Sequence, residues 1–315
     1  MQQPWKKRIK LIISLGLSAL IIYLIYRKLD FHSLTEVLMG IRPLPAVFFL
    51  LLFIPQLWLA TLRWNVMTKE IGKYRFPMRT SFAQVVGSYS ANLLIPGKMG
   101  EIVRIPWMRK YPLKAPVIAL VLLEKVFDIL SVILLLFASL GMIFLLSGQY
   151  QQVHFYFWLA SLLFLLTLAL VYVFRKPLSF FIERIFSSYL EKKPEDFIYY
   201  RFKTILGFVN KRIVWFFLIS ILLWMIQILE FYTIFLMFDI HPPILHVYGG
   251  SSLALLAGAL PVSVAGLGPR DAVIISYFSQ WASVEVLAGV GIISLFRIII
   301  PALTGIPCFL MQTKR

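Results

Sequence analysis

The chain has 315 residues, of which 60% are hydrophobic and only 14% charged, against about 25% charged in soluble domains. Its mean hydropathy of +0.84 means that lipid must solvate most of it and leaves no room for a soluble catalytic domain. The net charge of +17 argues for membrane orientation rather than nucleic-acid binding, because the basic residues sit in the connections between apolar segments.

Cys308 is the only cysteine, so a disulfide framework or a cysteine-based metal site within one chain is excluded. Met1 to Lys10 is basic and precedes an apolar run that no small-residue cleavage site follows. That start is read as a retained first span rather than a cleaved signal.

A bilayer core of roughly 30 Å needs about 20 apolar helical residues. Six segments meet that length: Ile9 to Tyr26, Leu44 to Leu62, Val117 to Leu146, Val153 to Phe174, Ile213 to Phe238 and Val286 to Met311. With the amino terminus inside, the inner connections at 6–10, 63–79, 98–114, 175–212 and 314–315 hold nearly all the Lys and Arg. The outer connections hold only Arg27, Lys28 and Arg42, while Lys125, Arg270 and Arg297 fall at membrane depth. Both termini are therefore expected in the cytoplasm, with the chain in the cytoplasmic membrane.

Two further apolar stretches, Ser81 to Pro96 and Tyr248 to Val262, are short, rich in Gly, Ala and Ser, and end in Pro-Gly segments. They are expected to be descending arms of re-entrant hairpins, since irregular backbone at membrane depth survives only against protein or a wet cavity. Two spans, a hairpin and a span then occur twice, and the odd number of crossings inverts the second copy. The fold class is thus an all-α polytopic membrane protein, with about six full transmembrane helices plus two re-entrant helical hairpins in an inverted repeat. It forms a single membrane domain over 1–315, the first repeat being 1–146 and the second 147–315. Pro77 precedes Pro96, and Pro243 precedes Pro261, by nearly the same interval. Within 175–212, Phe181, Ile185 and Tyr189, then Ile198, Phe202, Ile205 and Val209, recur at helical spacing. They read either as amphipathic helices on the inner leaflet or as a cytoplasmic cap.

Charges supply the candidate substrate-binding residues. At the first tip, Lys98 is followed by Glu101 and Arg104, which share a helical face and can pair with each other if a helix starts near Gly100. At the second tip, Gly266 and Gly268 allow a sharp entry to a helix whose first turn Pro269 favours, and Arg270 and Asp271 follow. Glu124, Lys125 and Asp128 interrupt an apolar span, with Glu124 and Asp128 on one face. Glu230 and Arg297 are isolated, and Arg297 precedes Pro301, which should kink its helix. Each of these is also readable as a structural charge pair, but several converging on one cavity suit a ligand with phosphate and an amine. Nothing is expected from His241 and His246, and no cofactor or metal site is expected. Nucleotide-loop, zinc-protease and serine-elbow motifs are absent from the sequence.

The run from Asn92 to Arg104, the segment Glu124 to Asp128, and Leu260 to Ser263 leading to Gly266 to Asp271 together resemble the membrane domain of lysylphosphatidylglycerol synthase/flippase proteins, also called flippase-like. The resemblance covers essentially the whole chain. Lys125 stands where the family commonly has Arg, and Asp271 where it has Glu, and both changes keep the charge. The resemblance implies a lipid flippase or transporter for an anionic phospholipid or lipid-linked head group, and a membrane part without the soluble lysyltransferase domain. Expected partners are membrane lipids of anionic phospholipid or polyprenyl-phosphate type, no nucleic acid, and a homodimer is left open. Two alternatives stand beside it. One is a membrane transferase acting on a lipid-phosphate-linked substrate with Asp30 or Glu36 as base, and the other is a non-transporting membrane partner or regulatory subunit.

Overall fold

The computed structural model describes residues 31–92, 100–108, 111, 117–147, 212–259 and 268–313. All regular structure among these residues is helical. In chain order the helices are α1 (Phe31–Met39), α2 (Pro43–Glu70), α3 (Met78–Ala91), a 3-10 turn (Gly100–Val103), α4 (Arg104–Met108), α5 (Val117–Ser147), α6 (Arg212–Met237), α7 (Ile244–Ala259), α8 (Pro269–Phe278), α9 (Val284–Ile293) and α10 (Phe296–Thr313).

Four helical stretches are long and apolar enough to cross a membrane: Pro43–Glu70, Leu120–Leu146, Val214–Met237 and Val284–Gln312. They coincide with four of the six expected spans. The other two, Ile9 to Tyr26 and Val153 to Phe174, lie outside the described residues, as do the tips at Pro96 and Pro261 and almost all of the 175–212 segment. Two boundaries differ from expectation. α2 runs to Glu70 rather than Leu62, and the last span is two helices that part at Ser294 and Leu295.

Local chemistry explains the ends. α2 starts on proline after an extended Arg42, which suits a first turn whose N–H groups have no helical acceptor. The Arg42 N–H donates to the Met237 carbonyl at 2.9 Å, joining the start of α2 to the end of α6. α8 starts on Pro269 after Gly268, whose φ of 92° favours glycine. Asp271 accepts a hydrogen bond from the Gly268 N–H at 3.3 Å and so closes that first turn.

Phe48, Leu51, Ile54 and Trp58 of α2 and Trp215 and Leu222 of α6 are exposed, as helices solvated by lipid require. Inside, one apolar cluster gathers Trp64, Met67 and Phe216, and a second gathers Phe231, Phe235 and Phe278. α2 packs on α6, α3 on α10, and α7 on α5 and α8. The arm before the first expected tip therefore rests on α10, and the arm before the second on α5. The α3–α10 contact is close enough that a Cβ on Gly305 would meet the Val86 carbonyl oxygen at 2.1 Å. Ser90 Oγ donates to the Ala302 carbonyl across the same seam at 2.6 Å. Small residues permit such backbone approach between membrane helices.

Candidate functional site

The extension of α2 past Leu62 carries Arg63, and this residue organises the site. It is 3% exposed, and its guanidinium donates to Asp128 at 2.6 Å, to Glu124 at 2.7 Å and to Ser220 Oγ at 2.8 Å. Glu124 and Asp128 share one face of α5, as their spacing predicts, so one arginine reaches both. Trp224 Nε1–H donates to the same Asp128 oxygen at 3.0 Å.

Arg104, fully buried, takes the other Glu124 oxygen at 2.8 Å. Its remaining donors reach Ser88 Oγ at 3.1 and 2.9 Å, and its guanidinium carbon lies 4.5 Å from the Trp64 ring centre, a cation–π distance. Glu101 does not pair with Arg104. Gly100–Val103 is a 3-10 turn, in which positions i and i+3 still stack, so the pairing is lost to competition: α5 offers Arg104 the Glu124 carboxylate and Glu101 the Lys125 ammonium. Glu101 accepts from Lys125 Nζ at 2.8 Å, and Lys125 also lies 3.8 Å from Asp128. Gly100 is held against the end of α3, its N–H donating to Asn92 Oδ1 at 2.7 Å. A Cβ there would stand 2.4 Å from the Ser88 carbonyl oxygen.

Across the site, Arg297 at the start of α10 donates to Glu230 at 2.7 Å and to Gln227 at 3.3 Å. Its guanidinium lies 4.3 Å from the Phe231 ring centre.

These groups surround a cavity of about 120 Å³ between α2, α3, the 3-10 turn, α5, α6 and α10. Charged walls come from Arg63, Glu101, Glu124, Lys125, Asp128 and Arg297, and polar ones from Gln56, Tyr89, Asn92 and Gln227. Of the expected residues, Glu101, Glu124, Asp128 and Arg297 thus meet on one cavity. Arg104 lies behind it through Glu124, and Glu230 through Arg297.

Arg270 and Asp271 do not line that cavity. Arg270 donates twice to Asp271, at 2.9 and 2.7 Å, and once to the Gly291 carbonyl at 3.0 Å. Ser294 Oγ donates to the same carbonyl at 2.7 Å, so Arg270 secures the end of α9 where the last span breaks. Lys98 and Asp30 lie outside the described residues. Glu36 is exposed on α1 beside His32, away from the cavity. His246 rests against Tyr277 and Trp281.

Sequence reasoning noted Lys125 in its span without counting it among the substrate-binding residues, and missed Arg63, Gln56, Tyr89, Trp224 and Gln227. Among the described residues no three His, Cys, Asp or Glu side chains gather at metal-binding distance. A family model described as the lysylphosphatidylglycerol synthase TM region matches residues 11–305. Neither a curated protein nor a solved structure matches the chain.

Proposed function

We propose, from the premise that the chain belongs to the lysylphosphatidylglycerol synthase membrane-region family, that it moves an anionic phospholipid or lipid-linked head group between leaflets. The observation that carries this reading is the ion-lined cavity among helices long enough to span a bilayer. Intramembrane charges each cost at least about 2.5–3.5 kcal/mol on insertion scales, and face a partner or a wet pathway. A volume of about 120 Å³ is below the roughly 300–1,000 Å³ of sites that enclose a whole small molecule. It suits the charged end of a head group while the acyl or prenyl chains stay in lipid.

In this reading six spans and two re-entrant hairpins form an inverted repeat, 1–146 and 147–315, with both termini cytoplasmic. The crossed packing of α3 on α10 and α7 on α5 supports it, because an inverted repeat places each broken arm against the opposite half. Phosphate meets Lys125 and Arg297 at the cavity wall, whereas Arg104 acts through the Glu124 carboxylate it holds and Arg270 fixes α8 to the end of α9 away from the cavity. Reconstituted liposomes test the function with labelled phosphatidylglycerol and polyprenyl phosphate. The Lys125→Gln plus Arg297→Gln variant is expected to slow leaflet exchange at least tenfold. Equal rates for variant and wild type, or a wild-type rate no faster than empty liposomes for every lipid, would refute the proposal.

A further inference from the structure

Among the described residues the ion cluster is balanced. Arg63, Arg104, Lys125 and Arg297 are met by Glu101, Glu124, Asp128 and Glu230, so an entering anion finds no cation there without a carboxylate already on it. It must displace one, and the four cations differ sharply in how firmly they are held.

Arg63 bonds two carboxylates and a hydroxyl. Arg104 bonds a carboxylate and a serine twice, beneath a tryptophan ring. Arg297 has Glu230, Gln227 and a phenyl face. Lys125 has one short contact, to Glu101, and its side chain is 29% exposed whereas Arg63, Arg104 and Arg297 are at 7% or less. An ammonium is a compact charge on a flexible stem, so Lys125 can turn to a new anion without dismantling a planar fork.

Glu101 is the matching loose anion. It is 5% exposed and lines the cavity, yet its Oε2 finds no hydrogen-bond partner among the described residues. Gln56 Oε1, from α2 and lining the same cavity, is likewise unpartnered among them. Glu101 sits on a four-residue 3-10 turn rather than a long helix, a backbone element with poorer hydrogen-bond geometry. Glu124 and Asp128, by contrast, are fixed on α5 by two donors or more each.

The geometry points to Glu101 as a built-in surrogate for the substrate anion: a phosphate-bearing ligand takes Lys125 by exchanging with the Glu101 carboxylate, and Glu101 returns to eject it. This rests on the transport reading and names its exchange step. It explains how a site can bind an anion and still release it, since the occupied and empty states both leave Lys125 neutralised.

The test is binding by the purified full-length protein of dihexanoyl phosphatidylglycerol in one arm and inorganic phosphate in the other. Glu101→Gln is expected to bind at least tenfold more tightly than wild type, because the competing carboxylate is gone. Glu101→Asp, with a shorter reach and the charge kept, is expected to fall between the two, and serves if Glu101→Gln does not fold. The gain is expected to vanish in Glu101→Gln plus Lys125→Gln, which restores the charge balance. Tightening in the lipid arm alone assigns the exchange to a lipid head group, and tightening in both arms assigns it to phosphate itself. Equal or weaker binding in both single variants overturns the inference, as does a gain that survives loss of Lys125. Leaflet exchange by wild type without any gain in the variants removes this step and leaves the transport reading standing. A gain in the variants without leaflet exchange does the reverse.

Discussion

Removing Arg63 perturbs the cluster at its best-connected point. Arg63→Met keeps much of the side-chain volume and deletes the bonds to Asp128 at 2.6 Å and to Glu124 at 2.7 Å. Glu124 retains Arg104 at 2.8 Å, and Asp128 retains Trp224 at 3.0 Å and the more distant Lys125. One negative charge is left unbalanced among groups that are nearly all below a tenth exposed. Breaking a buried pair by deleting one partner costs about 3–5 kcal/mol, and the retained partners place this case toward the lower end, about 3 kcal/mol. Adding Asp128→Asn removes the surplus charge and should recover at least half of that loss. Reversible unfolding in mixed micelles of wild type, both single variants and the double variant completes the cycle. A loss below about 1 kcal/mol for Arg63→Met would refute the assignment of Arg63 as the centre of the cluster. So would a second substitution that deepens the loss.

Other predictions follow from single contacts. Gly305→Leu places a side chain where even a Cβ meets the Val86 carbonyl at 2.1 Å, so stability should fall by more than about 1–3 kcal/mol, the ordinary cost of overpacking, in a thermal unfolding assay. Arg270→Lys cannot reproduce the fork onto Asp271 and the Gly291 carbonyl. It should lower stability without changing binding of phosphatidylglycerol, since it lies off the cavity wall. Trp224→Phe deletes one hydrogen bond to a charged oxygen and should cost about 1.5–3 kcal/mol in the same unfolding assay. For the layout, with Cys308 replaced, a cysteine at Met99 should react with an impermeant thiol reagent from the cytoplasmic side and one at Ser263 from the outer side. Reaction of residue 99 from outside alone would overturn the two-tip arrangement.

What the sequence reveals depends on contrast. Glu124, Lys125 and Asp128 stand out because they break a strongly apolar run, and their spacing alone puts two carboxylates on one face of α5. Arg63 carries equal weight but sits at the margin of its apolar segment, where it reads as one more inner-loop cation in the count that sets orientation. Only the continuation of α2 to Glu70 moves it inside. Gln56, Tyr89 and Gln227 are uncharged, so a search for charges at membrane depth passes over them, and only the assembled helices bring them to the cavity. The Glu101 and Arg104 pairing fails for another reason: spacing along the chain says nothing of the charges a distant helix brings, and partners on α5 take both residues. The break at Ser294 and Leu295 has neither glycine nor proline. It is held instead by Ser294 and Arg270 on one carbonyl, a tertiary arrangement that local sequence does not encode.

Arg63, Glu124, Lys125, Asp128, Glu230 and Arg297 all lie in the helical stretches able to span a membrane. Taken singly, their insertion would cost roughly 15–21 kcal/mol at about 2.5–3.5 kcal/mol each, more than the about 5–15 kcal/mol that holds a typical domain folded. They are therefore tolerable only as a mutually neutralised set, which is how they are found. A set under that constraint cannot keep a spare cation waiting for a ligand. Any anion it recognises has to replace an internal one, and the polar cavity then works by substitution at its weakest pair rather than by attraction to an open charge.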